Sequence, residues 1–214
     1  MKNIFLILIT IPLLFCGSFC ISFDTLLDKL DKRENEISTL SFNFFQEVNI
    51  ISTDENSRLT GKVYYKKKNK FLIKNYKPFN QTIVTNGIKL WIYNPKDEQV
   101  IIRNASYLLE NDNFLNFFDF IFDFEKFRKK YKFSFLLEEA AEYILGLKSA
   151  DLGDIDISVY FDKEILFPNC VVLSSQDYRI ITNIENAVFN KSISDTKFDF
   201  KGPKKVNIWN MEDK

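Results

Sequence analysis

Ile83-Val84-Thr85-Asn86-Gly87-Ile88-Lys89-Leu90-Trp91-Ile92-Tyr93-Asn94-Pro95 contains two short β-prone runs and the turns that bound them. β-Branched residues fill 82–85, and β-branched or aromatic residues take four of the six positions over 88–93. Asn86-Gly87 between them is a strong two-residue hairpin signal, because both turn positions of such a hairpin need positive φ. Asn94-Pro95 marks the next reversal, with proline presetting φ at a turn position. Working outward, strands are expected at 59–66 and 71–76 on one side and at 99–103 on the other. Further upstream, Leu40-Ser41-Phe42-Asn43-Phe44-Phe45-Gln46-Glu47-Val48-Asn49-Ile50 has mainly apolar even positions and mainly polar odd ones, the mark of a half-buried strand. The second half repeats the style at 132–137, 142–147, 155–161, 170–176 and 179–189. Strands joined by such short turns predict an antiparallel meander curling toward a barrel.

Two segments carry helical spacing instead. Leu26, Leu27, Leu30 and Ile37 recur every three or four residues and predict an amphipathic helix over 24–36. Over 113–131, Phe114, Phe117, Phe118, Ile121, Phe122 and Phe127 do the same, with Asp119, Asp123, Glu125 and Lys126 between them. Phe120 and Phe124 fall outside that stripe, so the apolar surface is wider than packing on one sheet face needs. A core helix plugging the sheet and a movable lid over an apolar cavity both account for it.

Composition narrows the chemistry. The chain has 214 residues, 29 Lys+Arg against 29 Asp+Glu, and no histidine. Zero net charge argues against nonspecific nucleic-acid binding. The missing imidazole removes Ser-His-Asp and Cys-His hydrolysis and His-ligated zinc. A carboxylate pair of the glycosidase kind needs no histidine, but nothing in the sequence fixes one at a working separation. Asp151, Asp154, Asp156 and Asp162 depart from calcium-loop spacing, and no metal or cofactor is assigned. Aromatic side chains make up 16% of the chain, 23 of them Phe, enough for a large core.

The first residues read as an address. Met1-Lys2-Asn3 is a short basic start, 4–15 is an apolar run, and Gly17, Ser18 and Ser22 are small. This is the pattern of a secretory signal peptide over 1–22, leaving a single domain over 23–214 outside the cytoplasm. Twelve apolar residues are short of the roughly 20 that span a hydrocarbon core. Cleavage near Ser22 leaves Cys170 as the lone thiol. Leu13-Leu14-Phe15-Cys16 also loosely fits a lipoprotein cleavage site, with Cys16 as the acylated first residue of a membrane-anchored receptor.

The stretches Gly61-Lys62-Val63-Tyr64-Tyr65-Lys66-Lys67-Lys68-Asn69-Lys70-Phe71 and 83–100 resemble the LolA family, the outer-membrane lipoprotein carriers. Phe44-Phe45-Gln46 is similar to that family's F-x-Q strand. Phe198-Asp199-Phe200-Lys201-Gly202-Pro203-Lys204-Lys205-Val206-Asn207-Ile208 is similar to its closing F-x-F-x-x-P-x-x-V segment. The resemblance runs over about 23–209 and is most specific at 86–99.

It implies an unclosed antiparallel β-barrel whose concave apolar face is covered by helices and holds lipoprotein acyl chains across the periplasm. It also implies a monomeric, non-enzymatic carrier, loaded by an ATP-driven inner-membrane complex and unloaded to an outer-membrane acceptor. Strand parity then offers Phe42, Phe44, Val63, Tyr65, Phe71, Ile73, Ile83, Leu90 and Ile92 as cavity wall, with plain core packing as the competing account. Trp91 and Tyr93 take the opposite parity. The family places an Arg, then Pro, after the second strand, and that Arg holds the lid shut. This chain has Lys67-Lys68 there, which makes Lys67 the latch candidate with a point charge in place of a planar fork. Lys66, Lys67, Lys68 and Lys70 together form a basic cluster that fits a solvated turn or an anionic partner.

Overall fold

Ser22 begins the first helix: its Oγ accepts the Thr25 N–H at 3.2 Å, occupying one of the donors a helix leaves open at its start. The helix, α1 (Phe23–Glu36), carries Asp24 in its first turn and Arg33 in its last, both favourable to the helix dipole. Its Leu26, Leu27 and Leu30 are buried, and Ile37, also buried, is already extended. The computed structural model describes residues 21–107, 124–149, 154–203 and 205–211.

Among the described residues twelve strands follow in a single sheet: β1 (Thr39–Ile50), β2 (Glu55–Lys66), β3 (Lys70–Lys77), β4 (Gln81–Asn86), β5 (Lys89–Asn94), β6 (Gln99–Asn104), β7 (Tyr131–Glu138), β8 (Glu142–Ser149), β9 (Asp156–Asp162), β10 (Phe167–Ser174), β11 (Tyr178–Phe189) and β12 (Asn207–Asn210). A further helix among the described residues, α2 (Phe124–Lys130), leads straight into β7. The strand order is β12-β6-β5-β4-β3-β2-β1-β11-β10-β9-β8-β7. The sheet is unclosed, with β12 and β7 at its two edges.

The expected meander is present as two runs, β1 to β6 and β7 to β11, joined side by side by the long antiparallel pair of β1 with β11. That join is nonlocal, so short-turn signals do not reveal it. The parallel pairing of β12 with β6 is a second addition. Strand β10 starts at Phe167, earlier than the expected 170, because Phe167 and Pro168 already pair with β9 across an irregularity.

The Asn86-Gly87 hairpin forms, but by different geometry from the one expected. Positive φ occurs at Gly87 alone, at 92°. Asn86 remains in β4, and its Oδ1 accepts the N–H groups of Ile88 and Lys89, both at 3.0 Å. The side chain thus makes an Asx-type turn where a second left-handed residue was expected. After β5, Pro95–Asp97 forms a single 3-10 turn, η1, and Glu98 reverses the chain at φ 48°.

Period-two burial divides the sheet into two apolar faces. On the concave face one large cluster takes in the leucines of α1, Phe127 of α2 and inward residues of β1 to β5 and β7 to β11. On the convex face a smaller cluster of Leu72, Val84 and Phe198 is flanked by Tyr64, Trp91, Ile193 and Phe200. Phe198 belongs to a 3-10 turn, η2 (Asp195–Phe198), that lies against β3 and β4.

Candidate functional site

The nine residues expected to wall a cavity all point to the concave face. Phe42, Phe44, Val63, Tyr65, Phe71, Ile73, Ile83 and Leu90 are buried in the one cluster, and Ile92 is half-buried against it. Cross-strand register explains how they meet. Phe42 pairs with Val63, Val63 with Ile73, Ile73 with Ile83 and Ile83 with Ile92. Opposed residues share a face, so these five form one apolar row perpendicular to the strands. Sequence parity alone missed that the row goes on: Ile92 pairs with Ile101, and Ile101 with Trp209 of the parallel strand.

Burial is complete over the first four residues of this row and falls beyond them. Phe42 and Val63 are fully covered, Ile92 and Ile101 are half-buried, and Trp209 is 54% exposed. The β1 end is sealed and the β12 end is open. A second row, Tyr65, Phe71, Thr85 and Leu90, lies toward the β2–β3 turn and is buried throughout, ending at the half-buried Arg103. The Arg103 guanidinium lies 3.9 Å from the Tyr107 ring centroid, and its Nη2 is 3.1 Å from Met211 Sδ.

On the other side of the apolar row the chemistry changes. Asn75 pairs with Gln81, Asn94 with Gln99, and Gln99 with Asn207. The Asn75 amide donates to Gln81 Oε1 at 3.3 Å, and the Gln81 amide to Asn94 Oδ1 at 2.8 Å. This amide row was also unread in the sequence, where five polar residues scattered between positions 75 and 207 give no periodic signal. Phe44 sits next to it, its ring lying over Gly61 where a Cβ would collide with it and with the Lys74 carbonyl. Only glycine leaves Phe44 room to lie flat on the sheet there.

Of the expected lid, Phe114, Phe117, Phe118, Ile121 and Phe122 lie outside the described residues. The segment's end is described: Phe127 is buried, 5.3 Å from the ring of Tyr131. Lys67 makes a latch of its own. Its Nζ donates to the Asn35 carbonyl at 2.6 Å, while Asn190 Nδ2 donates to the Glu36 carbonyl at 3.1 Å. These carbonyls are among the acceptors α1 leaves open at its end, and a cation there also meets the negative pole of the helix. Lys67 therefore ties the β2–β3 turn to α1.

The rest of the basic cluster is largely engaged too. Asp195 Oδ1 accepts from Lys66 at 2.8 Å and Lys70 at 3.1 Å, which holds its carboxyl below the usual range. Glu138 is likewise lowered, by the Ile21 N–H and by Lys163. Burial raises the Cys170 thiol, and the nearby Glu142 adds to it. None of these three groups lies in the rows on the concave face, and no metal-ligating cluster occurs among the described residues. Two clefts, of about 640 and 440 Å³, open on the convex face and are lined by Glu47, Arg58 and Arg179 in one case and Lys62, Tyr64 and Lys197 in the other.

The site is thus the apolar face of an open, mostly antiparallel sheet that its helices cover only in part. The family model described as outer membrane lipoprotein carrier protein LolA matches residues 35–201, and the chain belongs to that family. An outer-membrane lipoprotein carrier protein of Francisella tularensis is 29% identical over 203 residues, covering 94% of this chain and 95% of that one. Another, from Hahella chejuensis, is 35% identical over 85 residues, 40% of this chain and 41% of its own. Among solved structures, an uncharacterized conserved protein of Thermus thermophilus shares the fold, with a TM-score of 0.57 at 14% identity over 86% of this chain and 98% of its own.

Proposed function

We propose that this protein is a periplasmic carrier that lays the acyl chains of lipoproteins along its concave apolar rows and shuttles them from the inner to the outer membrane. Residues 1–22 direct export and 23–214 form the carrier. The observation that carries this reading is the apolar row from Phe42 to Trp209, crossing seven strands and opening progressively toward one edge. A row that served only as core would be covered along its whole length.

The energetics explain why such a face is needed. Each buried CH₂ is worth about 0.8 kcal/mol, so an acyl chain of roughly 16 carbons left in water is disfavoured by about 13 kcal/mol. The bilayer it leaves is equally apolar, so transfer to the protein has little net drive. Loading then needs work from an ATP-driven inner-membrane complex, and unloading needs an outer-membrane acceptor that holds the chains more tightly. The carrier itself performs no covalent step.

The test is release. Spheroplasts producing a triacylated lipoprotein are incubated with the purified protein, and the soluble fraction is probed for a complex. A one-to-one soluble complex supports the proposal. Lipoprotein that stays wholly in the membrane fraction, together with no binding of a fluorescent fatty acid in solution, overturns it.

A further inference from the structure

We propose that the amide row is the seat of the neutral, ester-rich junction between the acyl chains and the peptide of the cargo, and that it favours a diacylglyceryl-cysteine over a phospholipid. This rests on the carrier reading above and adds an orientation and a selectivity to it.

The argument starts from register. Asn75, Gln81, Asn94, Gln99 and Asn207 stand side by side on the concave face at the ends of five neighbouring strands. The apolar row lies two residues along, about 7 Å away, which is the offset between the ester carbonyls of a glyceride and its first few methylenes. Each amide offers both a donor and an acceptor. Asn75, Gln81 and Asn94 spend part of that capacity on one another, and the side chains of Gln99 and Asn207 make no hydrogen bond among the described residues. Gln99 is half-buried and Asn207 exposed, so both amides keep their capacity for a ligand.

Charge gives the selectivity. No member of the row is ionised, so it can pair with ester, amide and thioether groups but cannot neutralise a phosphate. Among the described residues of β4, β5 and β6 on this face, Arg103 alone is ionised. It stands four residues along β6 from Gln99, about 14 Å off, with its guanidinium against the Tyr107 ring and the Met211 sulfur. A phospholipid lying with its chains on the apolar row would bring its phosphate to the neutral end, where desolvating it is costly. A diacylglyceryl-cysteine brings no charge there. A carrier working at a membrane made mostly of phospholipid gains its discrimination this way.

The experiment displaces a fluorescent fatty acid from the purified protein with three probes: palmitate, a short peptide bearing S-(dipalmitoylglyceryl)cysteine, and dipalmitoyl phosphatidylglycerol. The unaltered protein is expected to bind the lipopeptide at least tenfold more tightly than the phospholipid. In Gln81→Leu/Asn94→Leu that preference narrows to about threefold or less, since each lost hydrogen bond is worth about 1 kcal/mol. The preference is read as the ratio of the two diacyl ligands, so that any change in palmitate, whose carboxylate meets the same row, does not enter it. Gln99→Leu, which breaks no hydrogen bond among the described residues, moves the preference the same way by a smaller factor and serves if the double variant folds poorly. Equal binding of lipopeptide and phospholipid by the unaltered protein overturns the proposal, as does a preference that survives all three substitutions. If the fluorescent fatty acid does not bind at all, the carrier reading itself fails.

Discussion

The two faces of the β3–β5 region are made of similar residues and have different fates. On the convex side Leu72, Val84 and Trp91 form a cross-strand row, and the chain's own η2 and the Phe200 segment cover it. Phe198 there is fully buried, and the Phe200 ring stacks on Trp91 at 6.5 Å and packs on Tyr93 at 5.6 Å. On the concave side Ile73, Ile83, Ile92 and Ile101 form an equally apolar row whose far half is not fully covered. Hydrophobicity therefore does not separate core from binding surface in this molecule. What separates them is whether the same chain supplies the cover, and for how much of the row.

The largest expected effect tests the covered face. Phe198→Ala removes the fully buried side chain that seals Leu72 and Val84, and is expected to lower the free energy of unfolding by about 3–4 kcal/mol. Urea denaturation measures this. Fatty-acid affinity in the folded variant should stay within about twofold, because the altered side chain lies on the other face. A comparable fall in affinity would show that the two faces are not independent. The complementary change, Ile92→Ser with Ile101→Ser, acts on half-buried positions of the open row. It is expected to reduce fatty-acid affinity about tenfold or more, roughly 1.4 kcal/mol, with a smaller loss of stability than Phe198→Ala. An unchanged affinity would remove these positions from the site.

This asymmetry also sets what could be read from the residues. Alternation over Leu40 to Ile50 and the turn at Asn86-Gly87 were enough for the strands, since both are local, and the inward parity of Phe42, Val63, Ile73 and Ile83 followed from them. Parity could not decide which of Leu90/Ile92 and Trp91/Tyr93 faces the hollow, because both pairs are apolar. The answer came from Phe198 and Phe200, more than 100 residues away, which pack on the Trp91 side. The end of the row was invisible for the same reason: Ile101 and Trp209 meet only through a parallel pairing between the two ends of a long connection. The amide row depends on five strands being in register, a property of the assembled sheet. Lys67 was singled out by its position in the family pattern, but its partner, the Asn35 carbonyl, is a backbone atom that no side-chain motif announces.

Trp209 turns the comparison into a spectroscopic one. The two tryptophans lie on opposite faces, Trp91 stacked under Phe200 and Trp209 54% exposed at the open end of the apolar row. Adding a saturating fatty acid is expected to shift emission to the blue, as Trp209 passes from water to hydrocarbon. Trp209→Phe should abolish the shift and Trp91→Phe should preserve it. A shift that survives Trp209→Phe would place the bound chain elsewhere.

The smallest effect concerns the strap that covers the convex face, and it is electrostatic. Asp195, at the start of η2, is held to β2 and β3 by Lys66 and Lys70, and these cations depress its folded-state pKa. For a depressed carboxylate the stabilisation is fully present above the unfolded value, about 3.9. It is lost as pH falls through the lower folded value, because protonation then removes the charge that both lysines contact. The carboxylate is well exposed, so solvent and salt screen the pair and the effect is modest. Amide exchange in η2 should quicken as the pH drops below about 4 relative to exchange in β1, once the intrinsic pH dependence is removed. Asp195→Asn should show the quick exchange already at neutral pH and lose the acid dependence. Because Asp195 holds Lys66 and Lys70 on the convex side, where Lys66 also donates to the Ile193 carbonyl at 2.9 Å, fatty-acid affinity at neutral pH should be the same in Asp195→Asn as in the unaltered protein. A loss of affinity on cutting this ion pair would mean that the cover on one face sets the opening of the other.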